Sequence, residues 1–303
     1  MKDRIQQSSP GGLHTLSFSA LVGGATCIAF APIFVRLSEL YPVATAFWRL
    51  AFAVPFFWLG FSIQKSHIPA TRTPKRLSEI LSLLVPGFFF AGDLAVWHWS
   101  IRYTSVANAT LLANFAPIFV TFGAWLIFKQ RITMTFLLGL VLAIVGICIL
   151  MGTSFRIDSL HVYGDILGII TAVFYGSYIL SIKHLRERYS TLTIMAWAGT
   201  ACCFLLLVFA ALTGEGLIAA TLTGWIVLLA LALISQVSGQ GLIAFALARL
   251  PAPFSSVTLL LQPVIAGALA WILLHEAIFP LQGLGAMIVL FGIVVARRGN
   301  TYI

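Results

Sequence analysis

The sequence predicts an all-α polytopic membrane protein, with ten transmembrane helices arranged as two inverted five-helix repeats. Composition is the first reason. The chain of 303 residues is 60% hydrophobic and only 9% charged, with a mean hydropathy of +1.02. Soluble domains carry about 25% charge, so a water-soluble globule is excluded. The second reason is ten apolar stretches, each near the ~20 residues that cross a bilayer. The third is an internal repeat: residues 105–152 recur at 251–298 with a constant offset of 146 and no gap.

The repeat rests on rare residue types. Pro117 falls on Pro263, Trp125 on Trp271, Gly139 on Gly285 and Gly146 on Gly292. Thr110 falls on Ser256, and Gln130 on Glu276. Generic apolar composition does not supply Pro and Trp in register, and such repeats are settled before local structure is assigned.

The spans run in order over 14–36, 42–63, 78–101, 105–128, 132–152, 163–183, 191–212, 219–248, 253–274 and 278–296. The eighth is long enough to tilt or to extend beyond the bilayer. Polar residues precede the first, which lacks a small-residue cleavage pattern and reads as a retained span. A longer polar stretch divides the chain into a first repeat (1–152), a linker (153–162) and a second, inverted repeat (163–303). With the N-terminus in the cytoplasm, 14 Lys and Arg fall on the inner side and three on the outer, leaving Arg49 within a span. That asymmetry is what bilayer topology demands. It also explains the net charge of +9 without nucleic acid. Five spans per repeat is an odd number, so the second copy enters from the opposite face. Many secondary transporters are built this way, with the substrate site near the midplane between repeats.

Few residues in the spans carry chemistry. Asp93 is the acid deepest in a span and Arg49 the deep base. Each lies roughly 10–15 Å from the outer end of its helix at 1.5 Å per residue. Matching depth predicts an ion pair, serving as a clip, a gate, or two poles for a zwitterion, because a lone charge in lipid costs several kcal/mol. Polar stripes at helical spacing suggest a central cavity: Thr110, Asn114 and Thr121; Thr171, Tyr175 and Tyr178; Gln236 and Gln240; Ser255, Thr258 and Gln262; Asp93 and Trp97, with His98 beside them. The expected binding set is Asp93, Trp97, Asn114, Tyr175, Tyr178, Gln236, Gln240 and Gln262. Arg49, Asp93 and His98 form the expected gate or ion pair. Pro117 and Pro263 interrupt equivalent helices and are the expected hinges, since backbone freed by Pro is tolerated where it lines a cavity.

Other features have duller readings. Trp58, Trp125, Trp225 and Trp271 sit near span ends, where an aromatic belt is expected. Gly164 and Gly168 suit close helix packing. Cys27, Cys148, Cys202 and Cys203 lie in apolar runs without metal or disulfide spacing. The usual catalytic and phosphate-cradling motifs are missing. The expected partners are therefore a small-molecule substrate and the lipid bilayer, with no cofactor, no metal and no catalytic residue.

The stretch from Ile101 to Leu112, running on to Pro117, resembles the span 3–4 signature of the drug/metabolite transporter superfamily, EamA type. Ala46-Phe47-Trp48-Arg49-Leu50 is similar to that family's span 2 motif with its arginine. Gln262-Pro263 through Glu276, and Gly285 to Gly292, resemble its second copy. Gln130 departs from the pattern where Glu276 keeps an acid. In aromatic content, length, and Asp93 with Trp97 and His98, the chain is similar to the YddG-type amino acid exporters. That resemblance implies ten helices, an inner-membrane location and export of aromatic and other neutral amino acids without ATP. It implies as an alternative the export of cationic compounds such as methyl viologen.

Overall fold

A computed structural model describes residues 10–68, 71–104, 106–151, 162–275 and 279–299. Among them, ten helices are long and apolar enough to cross a membrane. In order they are α1 (Pro10–Ala29 and Ala31–Leu37), α2 (Pro42–His67), α3 (Leu77–Tyr103), α4 (Val106–Ala113 and Ala116–Phe128) and α5 (Met134–Met151). The second half holds α6 (Val162–Leu185), α7 (Thr191–Thr213), α8 (Leu222–Ala246, in three parts), α9 (Ala252–Leu259 and Leu261–Leu274) and α10 (Pro280–Arg298). All ten expected starts and ends agree within four residues. Most of the linker, residues 153–161, lies outside the described residues, as does Glu276.

The breaks follow from proline chemistry. Proline lacks an N–H and its ring crowds the carbonyl four residues back. α4 breaks at Asn114 and Phe115, just before Pro117, and α9 breaks at Leu260, just before Pro263. The α9 break lies 146 positions beyond Asn114. α1 breaks in the same manner before Pro32, which the sequence reading passed over. The turns that follow α4 and α9 also match. Lys129 and His275, again 146 apart, both adopt left-handed backbone, with φ of 51° and 54°.

α5 and α10 show the inversion directly. A Cβ on Gly139 would lie 2.2 Å from the Ala296 nitrogen and 2.7 Å from the Gly292 carbonyl. One on Gly146 would lie 2.6 Å from the Val289 nitrogen and 2.9 Å from the Gly285 carbonyl. Residue numbers rise along one helix as they fall along the other, so the two repeat mates pack antiparallel. The pairs 139–292 and 146–285 exchange under the 146 offset, which is the signature of a two-fold axis between the halves. Gly292→Val is expected to lower stability by about 1–3 kcal/mol, the usual cost of overpacking. Gly283, with nothing within 4 Å of its Cβ position, is the neutral control. Thermal unfolding of both variants in detergent checks this.

α2 and α7 form a second seam between the halves, fastened at both ends. At one end Glu215, just after α7, accepts from the Ala44 N–H at 2.8 Å near the start of α2. Trp48 donates to the Leu217 carbonyl at 2.6 Å. Glu39 accepts from the Ala220 and Thr221 N–H groups and the Thr221 hydroxyl. Carboxylates suit helix N-termini because the orphan N–H groups there carry partial positive charge. The Thr221 hydroxyl, helped by the two backbone donors, holds Glu39 below the usual carboxylate range. At the basic end Ser190 caps α7 through the Thr193 N–H and donates to Gln64 of α2 at 2.7 Å. Arg72 lies 5.2 Å over the Tyr189 ring there.

Lys183 and Arg186 close the same end of α8, donating to the carbonyls of Leu247, Leu250 and Ala244. Trp125 and Trp271 are both 55% exposed, as belt residues would be. Trp58 and Trp225 are half-buried. Trp58 packs on Trp197 and donates to Thr200. Trp225 packs edge-on to Trp48, with ring centres 4.8 Å apart. Each thus packs on an opposing helix on one side. Gly164 and Gly168 admit Thr104 and Leu112 at close range, the tight packing expected of them.

Candidate functional site

The middle of α8 differs from the other helices. Residues Leu231–Gln240 are π-helical, and Ser235, Gln236, Gly239 and Gln240 within it are buried. A π turn takes up more residues than an α turn, and such segments occur frequently at functional sites.

Gln236 and Gln240 reach two different partners. Arg49 of α2, 7% exposed, donates through Nε to Gln236 Oε1 at 2.9 Å. Its guanidinium lies 5.7 Å from the Phe90 ring centre of α3. Phe90 stacks on Tyr178 of α6 at 4.7 Å and 21°. The Tyr178 hydroxyl donates to Gln240 Oε1 at 3.1 Å. Tyr175, a turn away, stacks on Tyr178 at 6.0 Å. Its hydroxyl lies beside Gln240 and Gln262 of α9, yet the Gln262 side-chain nitrogen is buried without a hydrogen-bond partner. Asp93 is within electrostatic reach of Arg49, Tyr175, Tyr178 and Cys202.

The expected Arg49–Asp93 ion pair is not formed. Arg49 instead holds the neutral Gln236 and faces Phe90, while Asp93 lies within electrostatic reach of Arg49 without forming an ion pair with it. The physical reason is the second acceptor: Gln236 offers its oxygen without the cost of bringing two ions out of water. Asp93, half-buried in mid-helix, makes no hydrogen bond to any described residue.

Seven of the expected residues thus converge from five helices: Arg49, Asp93, Tyr175, Tyr178, Gln236, Gln240 and Gln262. α2 and α3 come from the first half, and α6, α8 and α9 from the second. Trp97 is half-buried one turn beyond Asp93. Asn114 does not join them. Its amide donates to the Thr110 carbonyl at 2.8 Å and meets the Met151 sulfur at 3.9 Å. Thr121 and Thr258 likewise bond the carbonyl four residues back. Those stripes satisfy their own helices, a common fate of short polar side chains. The His98 side chain lies outside what the structure describes. Phe90 and the π turn were missed by sequence reasoning. Phe90 sits three residues before Asp93, a spacing that could have flagged it. A separate surface hollow of about 620 Å³, lined by Trp125, Lys129, Gln130 and Arg131 among others, belongs to the α4–α5 turn.

The fold defines an inverted-repeat, multi-pass membrane protein with a polar and aromatic centre. The sequence profile of the EamA-like transporter family matches it twice, over residues 15–152 and 162–298, and the chain belongs to that family. It is similar to the pseudopaline exporter CntI of Pseudomonas aeruginosa, at 24% identity over 71% of this chain and 74% of that one. It is also similar to the uncharacterized transporter YoaV of Bacillus subtilis, at 25% identity over 90% of this chain and 92% of that one. A solved crystal structure aligns with a TM-score of 0.78 over 96% of this chain and 99% of its own, at 17% identity. That likeness concerns the fold alone.

Proposed function

We propose that this transporter is a secondary exporter of amino acids, aromatic and other neutral ones, working by alternating access without ATP. The membrane is a bacterial inner membrane, with both chain ends in the cytoplasm. The observation that carries this reading is a basic and an acidic side chain, Arg49 and Asp93, held within electrostatic reach but not paired where the two halves meet. A zwitterion offers the complement of both. Phe90, Tyr175 and Tyr178 supply an aromatic wall for an apolar side chain.

A second reading has its own support. The Asp93 carboxylate has no hydrogen-bonded partner among the described residues, which favours export of organic cations. Proteoliposomes loaded with labelled amino acids or with methyl viologen separate the two. Saturable amino acid release supports the first reading, and release of the cation alone supports the second. No substrate-dependent flux in either direction overturns both.

A further inference from the structure

We infer that the side-chain amides of Gln236, Gln240 and Gln262 form the subsite for the substrate's carboxylate, and that Arg49 is a positioning residue that orients Gln236. This rests on the amino acid reading above.

The orientation follows from donor and acceptor chemistry. Arginine has only donors, so the atom of Gln236 that meets Arg49 must be its oxygen. The Gln236 NH2 group therefore points away from the guanidinium. It makes no hydrogen bond to a described residue, although the side chain is 1% exposed. Gln240, 2% exposed, presents its oxygen to the Tyr178 hydroxyl, and Phe90 stacking fixes that ring. Its NH2 group is left over as well. Gln262 contributes a third amide nitrogen, buried and without a partner. Buried donors are nearly always satisfied, and each exception calls for a cause. Gln262 is such an exception; it approaches from α9, with Gln240 beside the Tyr175 hydroxyl, while Gln236 lies one turn from Gln240 on α8, and the unused NH2 groups of the three are matched by one acceptor-only group. A carboxylate offers two oxygens with about four acceptor positions.

Arg49 spends one of its five N–H donors, that of Nε, on Gln236, and its face is turned to Phe90. Its charge lies directly behind the Gln236 amide, which strengthens that amide as a donor in a low-dielectric site. Asp93, across from these donors, is left for the substrate's ammonium group. The polarity of the site is thus set by which glutamine atom each neighbour has already taken.

The test uses the full-length protein in proteoliposomes, with L-phenylalanine and phenethylamine as probes. The second probe lacks only the carboxylate. Gln236→Glu keeps an oxygen for Arg49 and removes the donors, so a purely structural role for Gln236 is preserved. The expected result is a KM for L-phenylalanine raised at least tenfold with kcat little changed, and phenethylamine flux undiminished. Gln262→Leu removes the orphan nitrogen and should raise the same KM while leaving the unfolding temperature equal or higher. Arg49→Lys, still a donor to Gln236, should retain the preference for L-phenylalanine. An unchanged KM in both Gln236→Glu and Gln262→Leu overturns the inference while leaving amino acid export standing. Should the unsubstituted protein carry phenethylamine but not L-phenylalanine, the amino acid reading fails and the inference with it.

Discussion

Asp93→Asn is expected to reduce kcat/KM for export by about 10- to 100-fold and to make the protein more stable. The two effects have one origin. Asp93 sits in mid-span with no hydrogen-bonded partner among the described residues, so its ionised form bears a desolvation cost that Arg49, in reach but not in contact, only partly offsets. Asparagine fills the same space without that cost. A charge-assisted hydrogen bond to a substrate ammonium contributes about 1.5–3 kcal/mol, which is a factor of about 10–100 at 1.36 kcal/mol per decade. A residue kept for packing would lose stability or change little, and flux would follow. Loss of function coupled to a gain in stability is the pattern of a strained functional site. Initial rates in proteoliposomes, paired with unfolding temperatures in detergent, measure both. Full flux in a well-folded Asp93→Asn protein would remove this residue from the site under either proposed cargo.

Arg49→Leu is expected to damage both fold and transport. The change leaves Gln236 Oε1 buried with no donor, at a cost of about 1–3 kcal/mol. It also takes away the positive charge within reach of Asp93. Pairing it with Gln236→Leu removes the orphaned oxygen, since replacing both partners by apolar groups is nearly neutral. The double variant should therefore regain most of the unfolding temperature. It should not regain transport, because the Gln236 donors are gone. Equal losses in the single and double variants would show that the Arg49–Gln236 contact does not carry the effect. Recovery of flux in the double variant would show that neither residue serves the substrate.

Much of this architecture was readable in the sequence because lipid imposes simple rules. Length and apolarity located ten spans, and Pro117 with Pro263 located two of the breaks. The Gly139, Gly146, Gly285 and Gly292 set marked the repeat, although not that these four face one another. Hydrogen-bond partners were harder to read. Equal depth made Arg49 and Asp93 look like a pair, but depth says nothing about a neutral competitor arriving from α8. Asn114 looked inward by periodicity, yet the carbonyl of Thr110 on its own helix was a nearer acceptor. The π turn leaves no local mark, since Leu231–Gln240 contains no residue that forbids an ordinary α turn. Its widened geometry comes with the burial of Gln236 and Gln240 against two other helices, which is tertiary information.

The glycine seam between α5 and α10 bears on how such a protein reverses its direction. If each half takes up the shape of the other, residue 139 inherits the surroundings of 285, and 292 those of 146. The contact Gly139–Gly292 then becomes Gly285–Gly146, which is already present. The seam is unchanged by the swap and acts as a fixed post. The packing of the second segment of α4 on the first segment of α9 has no such immunity. Its image joins the opposite segments, so such an exchange would concentrate motion where the two prolines have already cut the helices.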